Sequence, residues 1–222
     1  MVRSLALAGF IAAALGACGS GDIVIEAAIP NEDGTLTPLA GARLVLLPYD
    51  RDSLIRVLEN RAPSARPSGA RLDSLFDEFR EPFNAYLRVS AALSRLAPAD
   101  SATRRTLQDS AGRARVALDA ARARLSPAID SERARIRAWE DTALRAYDSI
   151  GGDIVRRSVR DPIVDSTRSN GRTRIRLKGR EWWVTARAVN IQDPNREWYW
   201  NVRVTGDTVR LDPRTGRARP RL

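Results

Sequence analysis

The chain has 222 residues and a net charge of +10, with 43% hydrophobic and 29% charged residues. That balance belongs to folded proteins, excludes wholesale disorder, and allows one medium domain or two small ones. There is no histidine and a single cysteine, Cys18, which excludes histidine acid–base catalysis, Cys/His metal sites and intramolecular disulfides.

The base is almost all arginine. Lys178 is the only lysine among 37 basic residues, a pattern that reads as a coding bias toward GC-rich codons. Residues 151–222 carry 17 basic and 8 acidic side chains, a net +9. A basic C-terminal third suits nucleic acid, acidic lipid headgroups or polyanionic glycans. A solvated surface without a single partner is the plainer alternative.

The first eighteen residues, MVRSLALAGFIAAALGAC, place Arg3 before an apolar run from Leu5 to Leu15. A span of a bilayer needs about 20 apolar residues, so this shorter run fits a secretory signal instead. Leu15-Gly16-Ala17-Cys18 resembles a bacterial lipobox. The resemblance implies removal of residues 1–17, lipidation of Cys18, and a tether over 18–21. Two or three acyl chains give stable membrane anchoring where one gives marginal binding. Gly19 in place of an acidic residue favours the outer membrane, facing the periplasm or the cell surface. Export also sets nucleic acid aside as a partner.

After the tether, Asp22–Ile29 and Ala42–Tyr49 read as strands, separated by the turn residues Asn31-Glu32-Asp33-Gly34. That acidic turn lacks the spaced oxygen ligands of an EF-hand loop and implies no calcium site.

Period-2 patterning then disappears. A short helix is expected over Asp52–Asn60, followed by a Pro- and Ser-rich loop over Arg61–Ala70. Three longer stripes follow at helical spacing. One runs Leu72, Phe76, Phe79, Phe83, Tyr86, Ser90, Leu93, Ala97, and a second Leu107, Ala111, Ala114, Leu118, Ala121, Leu125. The third is Ile136, Trp139, Ala143, Tyr147, Ile150, Ile154. Spacing that averages 3.5 residues is the seam of a coiled coil or bundle. Boundaries are expected at Pro98, at the Ser126-Pro127 pair and at Gly151-Gly152, with a kink or restart at Pro82.

Alternation returns at Thr173–Leu177, Glu181–Asn190, Glu197–Thr205 and Asp207–Asp212. Six short strands suggest a small antiparallel sandwich. Pro38–Leu46 (PLAGARLVL) resembles the V-x-G-A-x-V-x-L opening of transthyretin-like, carboxypeptidase-regulatory-like domains. The stretch Thr167–Ala186 resembles their T-x-x-x-G-x-[YF]-x-[FI]-x-L-x-x-G-x-Y-x-V-x-A hairpin. The resemblance implies a prealbumin-like β-sandwich, α+β once the helices are counted, used as an accessory or structural module. Its strands would occupy 22–49 and 166–212, interrupted by a helical bundle over 50–165, with 213–222 as a basic C-terminal tail.

Four of the five tryptophans lie in REWWVTARAVNIQDPNREWYWNVRV, residues 180–204. A hairpin closed through Ile191–Asn195, with paired numbers summing to 386, puts Trp182, Val184, Ala186 and Ala188 opposite Val204, Val202, Trp200 and Trp198 on the core face. Trp183 and Tyr199 then face outward. Arg203 stands opposite Trp183 and Arg187 opposite Tyr199, a geometry for cation–π pairs. These four side chains are the candidate ligand or docking surface. They either bind glycan or polyanion, or are covered by one another and by the helices.

The carboxylates Asp141, Asp148, Asp153, Asp161 and Asp165 show no spacing that implies acid–base work, and no phosphate-cradling loop or nucleophile elbow occurs. The sequence therefore points to a non-catalytic, lipid-anchored envelope protein without a cofactor or metal. Its helices would present a protein-interaction surface, and an alternative is a carbohydrate- or polyanion-binding module. The Ala-rich seam can pair within or between chains, which leaves the oligomeric state open.

Overall fold

A computed structural model describes residues 21–31, 33–96, 101–179 and 181–222. Cys18 and the preceding apolar run lie outside the described residues. So do Pro98 and Ala97, at the end of the first helical stripe.

Nine strands among the described residues build two sheets. In the first, β1 (Gly21–Pro30) is central. It pairs antiparallel with β2 (Leu36–Pro38) and β5 (Arg172–Leu177), and parallel with β8 (Thr208–Leu211). The second sheet runs β4 (Ile163–Ser166), β3 (Arg43–Leu47), β6 (Trp183–Asn190), β7 (Asp193–Arg203) and β9 (Gly216–Pro220), all antiparallel. Alternating apolar residues of both sheets meet in one core that includes Ile25, Leu44, Val184, Trp200 and Leu211, each at most 1% exposed.

The β6–β7 register agrees with the sequence reading at Trp183↔Arg203, Ala186↔Trp200, Arg187↔Tyr199 and Ala188↔Trp198. The large indole of Trp200 packs over Ala186, and Trp198 stacks on it at 6.1 Å. The turn is tighter than expected. Only Ile191 and Gln192 lie outside the strands, and a bulge at Val189/Asn190 pairs Asn190 with Asp193, so Asp193-Pro194-Asn195 begin β7. A bulge is a place where a strand admits proline.

Three strands were not legible as strands. β2 and β4 are short, and β4 falls in the stretch assigned to the helical insertion. β9 replaces the expected tail. Its sequence GRARP shows no apolar alternation, yet it pairs with β7 from Arg196↔Pro220 to Trp200↔Gly216. Gly216 is required there, because a Cβ would come within 2.3 Å of Trp200 Nε1. That indole N–H donates to the Asp212 carbonyl at 2.9 Å.

Between β3 and β4 lie α1 (Arg51–Asn60), α2 (Ala70–Arg95), α3 (Ser101–Ala143) and α4 (Tyr147–Ser158). The expected boundary at Ser126-Pro127 does not exist, since α3 continues through it for 43 residues, about 64 Å. Leu118, Ala121 and Leu125 before the proline and Ile129 and Ile136 after it pack on Leu72, Phe76 and Phe79 of α2. One unbroken apolar stripe outweighs the hydrogen bond that Pro127 removes from the Ala123 carbonyl. Pro82 likewise lies inside α2. The third stripe is shared by two helices, divided at Leu144–Ala146.

Gly151-Gly152 sits within α4 and does not end it. A Cβ on Gly151 would lie 2.8 Å from the Tyr49 hydroxyl, so the glycine admits the phenol against the helix.

One buried carboxylate fastens α2 to the second sheet. Asp193, 3% exposed, accepts from Arg80 Nε and Nη2 of α2, both at 3.3 Å, and from the Asn195 backbone N–H at 3.0 Å. Arg196 reaches Asp73 of α2 at 2.8 Å. From α3, Arg133 donates to Asn195 Oδ1 and to the Arg221 carbonyl while covering the Phe76 ring at 5.3 Å.

Asp193→Ala is expected to cost about 1–3 kcal/mol in denaturant unfolding, while Arg88→Ala, far out on α2, stays within about 0.5 kcal/mol. Pro127→Ala restores the missing helical bond and should raise stability by up to about 3 kcal/mol, measured by the same unfolding curves.

Candidate functional site

The outer face of the second sheet is where the sequence placed its candidate residues. They part company there. Tyr199 is only 1% exposed. Its hydroxyl donates to Asp52 Oδ1 at 2.6 Å and accepts from Arg51 Nη1 at 3.1 Å, both at the start of α1. Its ring lies under Arg219 at 4.0 Å, Arg217 at 5.0 Å and Arg51 at 5.7 Å. Burial, with the hydrogen bond to Asp52 next, holds the phenol above its ordinary value and therefore neutral. A platform that needs an open Tyr199 face does not form.

The expected cation–π partners differ as well. Arg187 is opposite Tyr199 in the ladder, but its guanidinium approaches Glu197 at 3.9 Å. Arg203 turns to Glu181 at 3.6 Å instead of lying over Trp183. Trp183 remains half-buried, beside Leu47 in the register. The arginines that do cover Tyr199 come from β9 and α1, which strand parity within one hairpin does not reveal.

The chemistry of Tyr49-Asp50-Arg51-Asp52 explains the placement of α1. Asp50 is the N-cap: it accepts from the Asp52 N–H at 3.0 Å and from the Ser53 hydroxyl at 2.6 Å. It also accepts from Asn201 Nδ2 of β7 at 2.6 Å. Asp52 holds Tyr199 and meets Arg217 at 2.9 Å. The link after β3 is short, so the helix is set down directly on β7 and not on solvent.

Beside that contact, α1 and α4 leave part of β3 and β6 uncovered. The result is a cleft of about 430 Å³ with Val45 and Thr185 among its walls, bordered by Arg43, Arg51, Arg187, Tyr49, Tyr147 and Tyr199. Three of the chain's four tyrosines thus converge. Tyr49 and Tyr147 share a hydrogen bond between hydroxyls at 3.3 Å, and Arg51 lies 5.6 Å over the Tyr147 ring. Burial first, then the Tyr147 hydroxyl, raises the Tyr49 phenol above its ordinary range. The Tyr49 hydroxyl stays protonated.

No family model, curated protein or solved structure matches the chain. Among the described residues no group of three His, Cys, Asp or Glu is placed to hold a metal ion, and no helix is long and apolar enough to cross a membrane. Of the four candidates, Arg187 and Tyr199 share the cleft, while Trp183 and Arg203 lie outside it. Arg43, Tyr49, Arg51 and Tyr147 were missed. The N-cap pattern at Asp50 was the available signal, since it turns the chain back at the end of β3.

Hydrogen bonds from Ser53, Asn201 and the backbone outweigh burial and hold the Asp50 carboxyl below its ordinary value of 3.8. The native state then binds fewer protons than the unfolded chain. This contribution is present above 3.8 and is lost as pH falls through the lower folded value. Asp50→Asn keeps a capping oxygen but removes the titration, so the stability profile is expected to flatten in that window when unfolding is measured along an acid series.

Proposed function

We propose that the protein is a lipid-anchored component of the bacterial cell envelope, held through Cys18 and without a catalytic role. In this reading the sandwich is of the transthyretin-like kind, and the helical insertion presents a surface to another envelope protein. The outer membrane is the favoured location, on its periplasmic or surface face.

One observation carries the interaction reading. Between Phe79 of α2 and Leu118 of α3, no described side chain is buried. Tyr86, Leu93 and Leu107 are only half-covered along this length, and Val116 is 70% exposed. Helices in proteins draw most of their stability from burying an apolar face. A pair of helices that fully buries no described side chain over this length fits a second set of side chains completing the seam. The anchor reading draws support from spacing: β1 begins at Gly21, three residues after Cys18, so a lipid on Cys18 would hold the sandwich close to the bilayer.

The second reading is a carbohydrate or polyanion binder using Trp183, Tyr199 and the basic C-terminal third. Buried Tyr199 speaks against stacking there, and Arg217 and Arg219 of that third are engaged by Asp52 and Glu197.

Two readouts in a bacterial host test the proposal. Cys18→Ser should lose incorporation of labelled palmitate and leave the membrane fraction; retention of the label would refute the anchor. A photo-reactive residue at Leu93 should give a discrete adduct in intact cells while one at Val57 of α1 gives none. Equal or absent labelling at both positions contradicts the interaction surface.

A further inference from the structure

Two hollows lie side by side on the outer face of the second sheet, and their charges differ. The larger, about 600 Å³, is lined by six arginines and five carboxylates. Much of that charge is paired, as in Arg66 with Glu59 and Glu140, and Arg219 with Glu197. The 430 Å³ cleft is lined by three arginines, Arg43, Arg51 and Arg187, and by no carboxylate.

The donors of the cleft are also not all used. Arg43 has no ion pair or side-chain hydrogen bond among the described residues. Arg51 directs one nitrogen at the Tyr199 hydroxyl, and no carboxylate pairs with it among the described residues. Tyr49 and Tyr147 form one hydrogen bond between them. A bond between two hydroxyls uses one of their two O–H donors and leaves the other to donate elsewhere. By contrast Thr185 donates to the Val45 carbonyl at 3.0 Å, and Tyr199 to Asp52. Glu197, 3.9 Å from Arg187 and 2.8 Å from Arg219, is drawn toward β9.

We propose that this cleft binds a small ring-bearing oxyanion of the class of uronic acids and sugar phosphates. The carboxylate or phosphate meets Arg43, Arg51 and the free tyrosine hydroxyl, because guanidinium forks match planar or tetrahedral oxyanions and charge-assisted bonds are strong. The ring packs against tyrosine faces and Val45. A volume of 430 Å³ lies toward the small end of the roughly 300–1,000 Å³ range of ligand pockets, which suits one ring and not a polymer. The site does not depend on the lipid anchor or on the exposed part of the helices, so it stands or falls separately from them.

Titration calorimetry of the full chain with glucuronate and with glucose 6-phosphate tests it, with glucose and inorganic phosphate as controls. One or both acids should bind with a Kd below about 1 mM, glucose should not, and inorganic phosphate should bind at least about tenfold more weakly. Which acid binds better tells carboxylate from phosphate. Arg43→Gln should weaken binding about tenfold with an unchanged melting temperature, since Arg43 supports no other described group. Arg51→Lys should weaken it too, and Arg145→Gln, outside the cleft, should change nothing. Failure of both acids to bind, equal binding of glucose, inorganic phosphate binding as tightly as the sugar acids, or full binding by Arg43→Gln would overturn the proposal.

Discussion

The pairing of Leu46 in β3 with Ile163 in β4 is the constraint on which the rest of the molecule depends. Through it the chain leaves the second sheet and returns beside its point of departure, with the four described helices in between. The sandwich therefore closes as though the helices were a single long loop. Closing a loop costs entropy that grows only logarithmically with its length, so an insertion of this size is tolerable once the flanking strands pair. The core supplies the compensation: Ile25 and Leu44 from before the helices pack with Val184, Trp200 and Leu211 from after them. Both parts of the chain contribute to this one core.

With the frame closed, the placement of the helices is decided by polar contacts more than by apolar area. Asp193 joins β7 to α2, and Asp50 and Asp52 join α1 to Asn201 and Tyr199 of the same strand. Such contacts are directional, and a buried carboxylate without its partners is costly. They therefore fix orientation where a greasy contact would slide. Their positions also account for the cleft. Contacts that hold α1 over β7 leave Val45 only half-covered, with Arg43 and Arg51 at the margin.

Much of this was legible in residue order. The α+β class, the β6–β7 register and the core role of Trp182 and Trp200 follow from alternation and from large–small pairing, and a helix is expected from Asp52, without the Asp50 N-cap that starts it. Tyr199 shows the limit. Alternation assigns it correctly to the face away from the core, but parity says nothing about what lies over that face. Its cover comes from Arg217 and Arg219, in a strand whose GRARP sequence has no apolar period, and from Arg51, far away in the chain. Pro127 shows another limit. A Ser-Pro pair has the chemistry of a helix start, yet local preference yielded to the apolar stripe that continues from Leu118 to Ile136.

The same stripe thins toward the far ends of α2 and α3, where alanine and half-covered side chains replace the phenylalanines. Those turns are the part of the fold least supported from within, and the proposed partner contact would complete them. Amide hydrogen exchange of segments 83–96 and 101–118, compared between native membranes and the detergent-purified protein, tests that claim most directly. The account predicts weak protection of both segments in the purified protein and a clear gain in native membranes, while β6 and β7 remain strongly protected in both. Protection of these segments equal to that of β6 in the purified protein, or identical in the two settings, would contradict it.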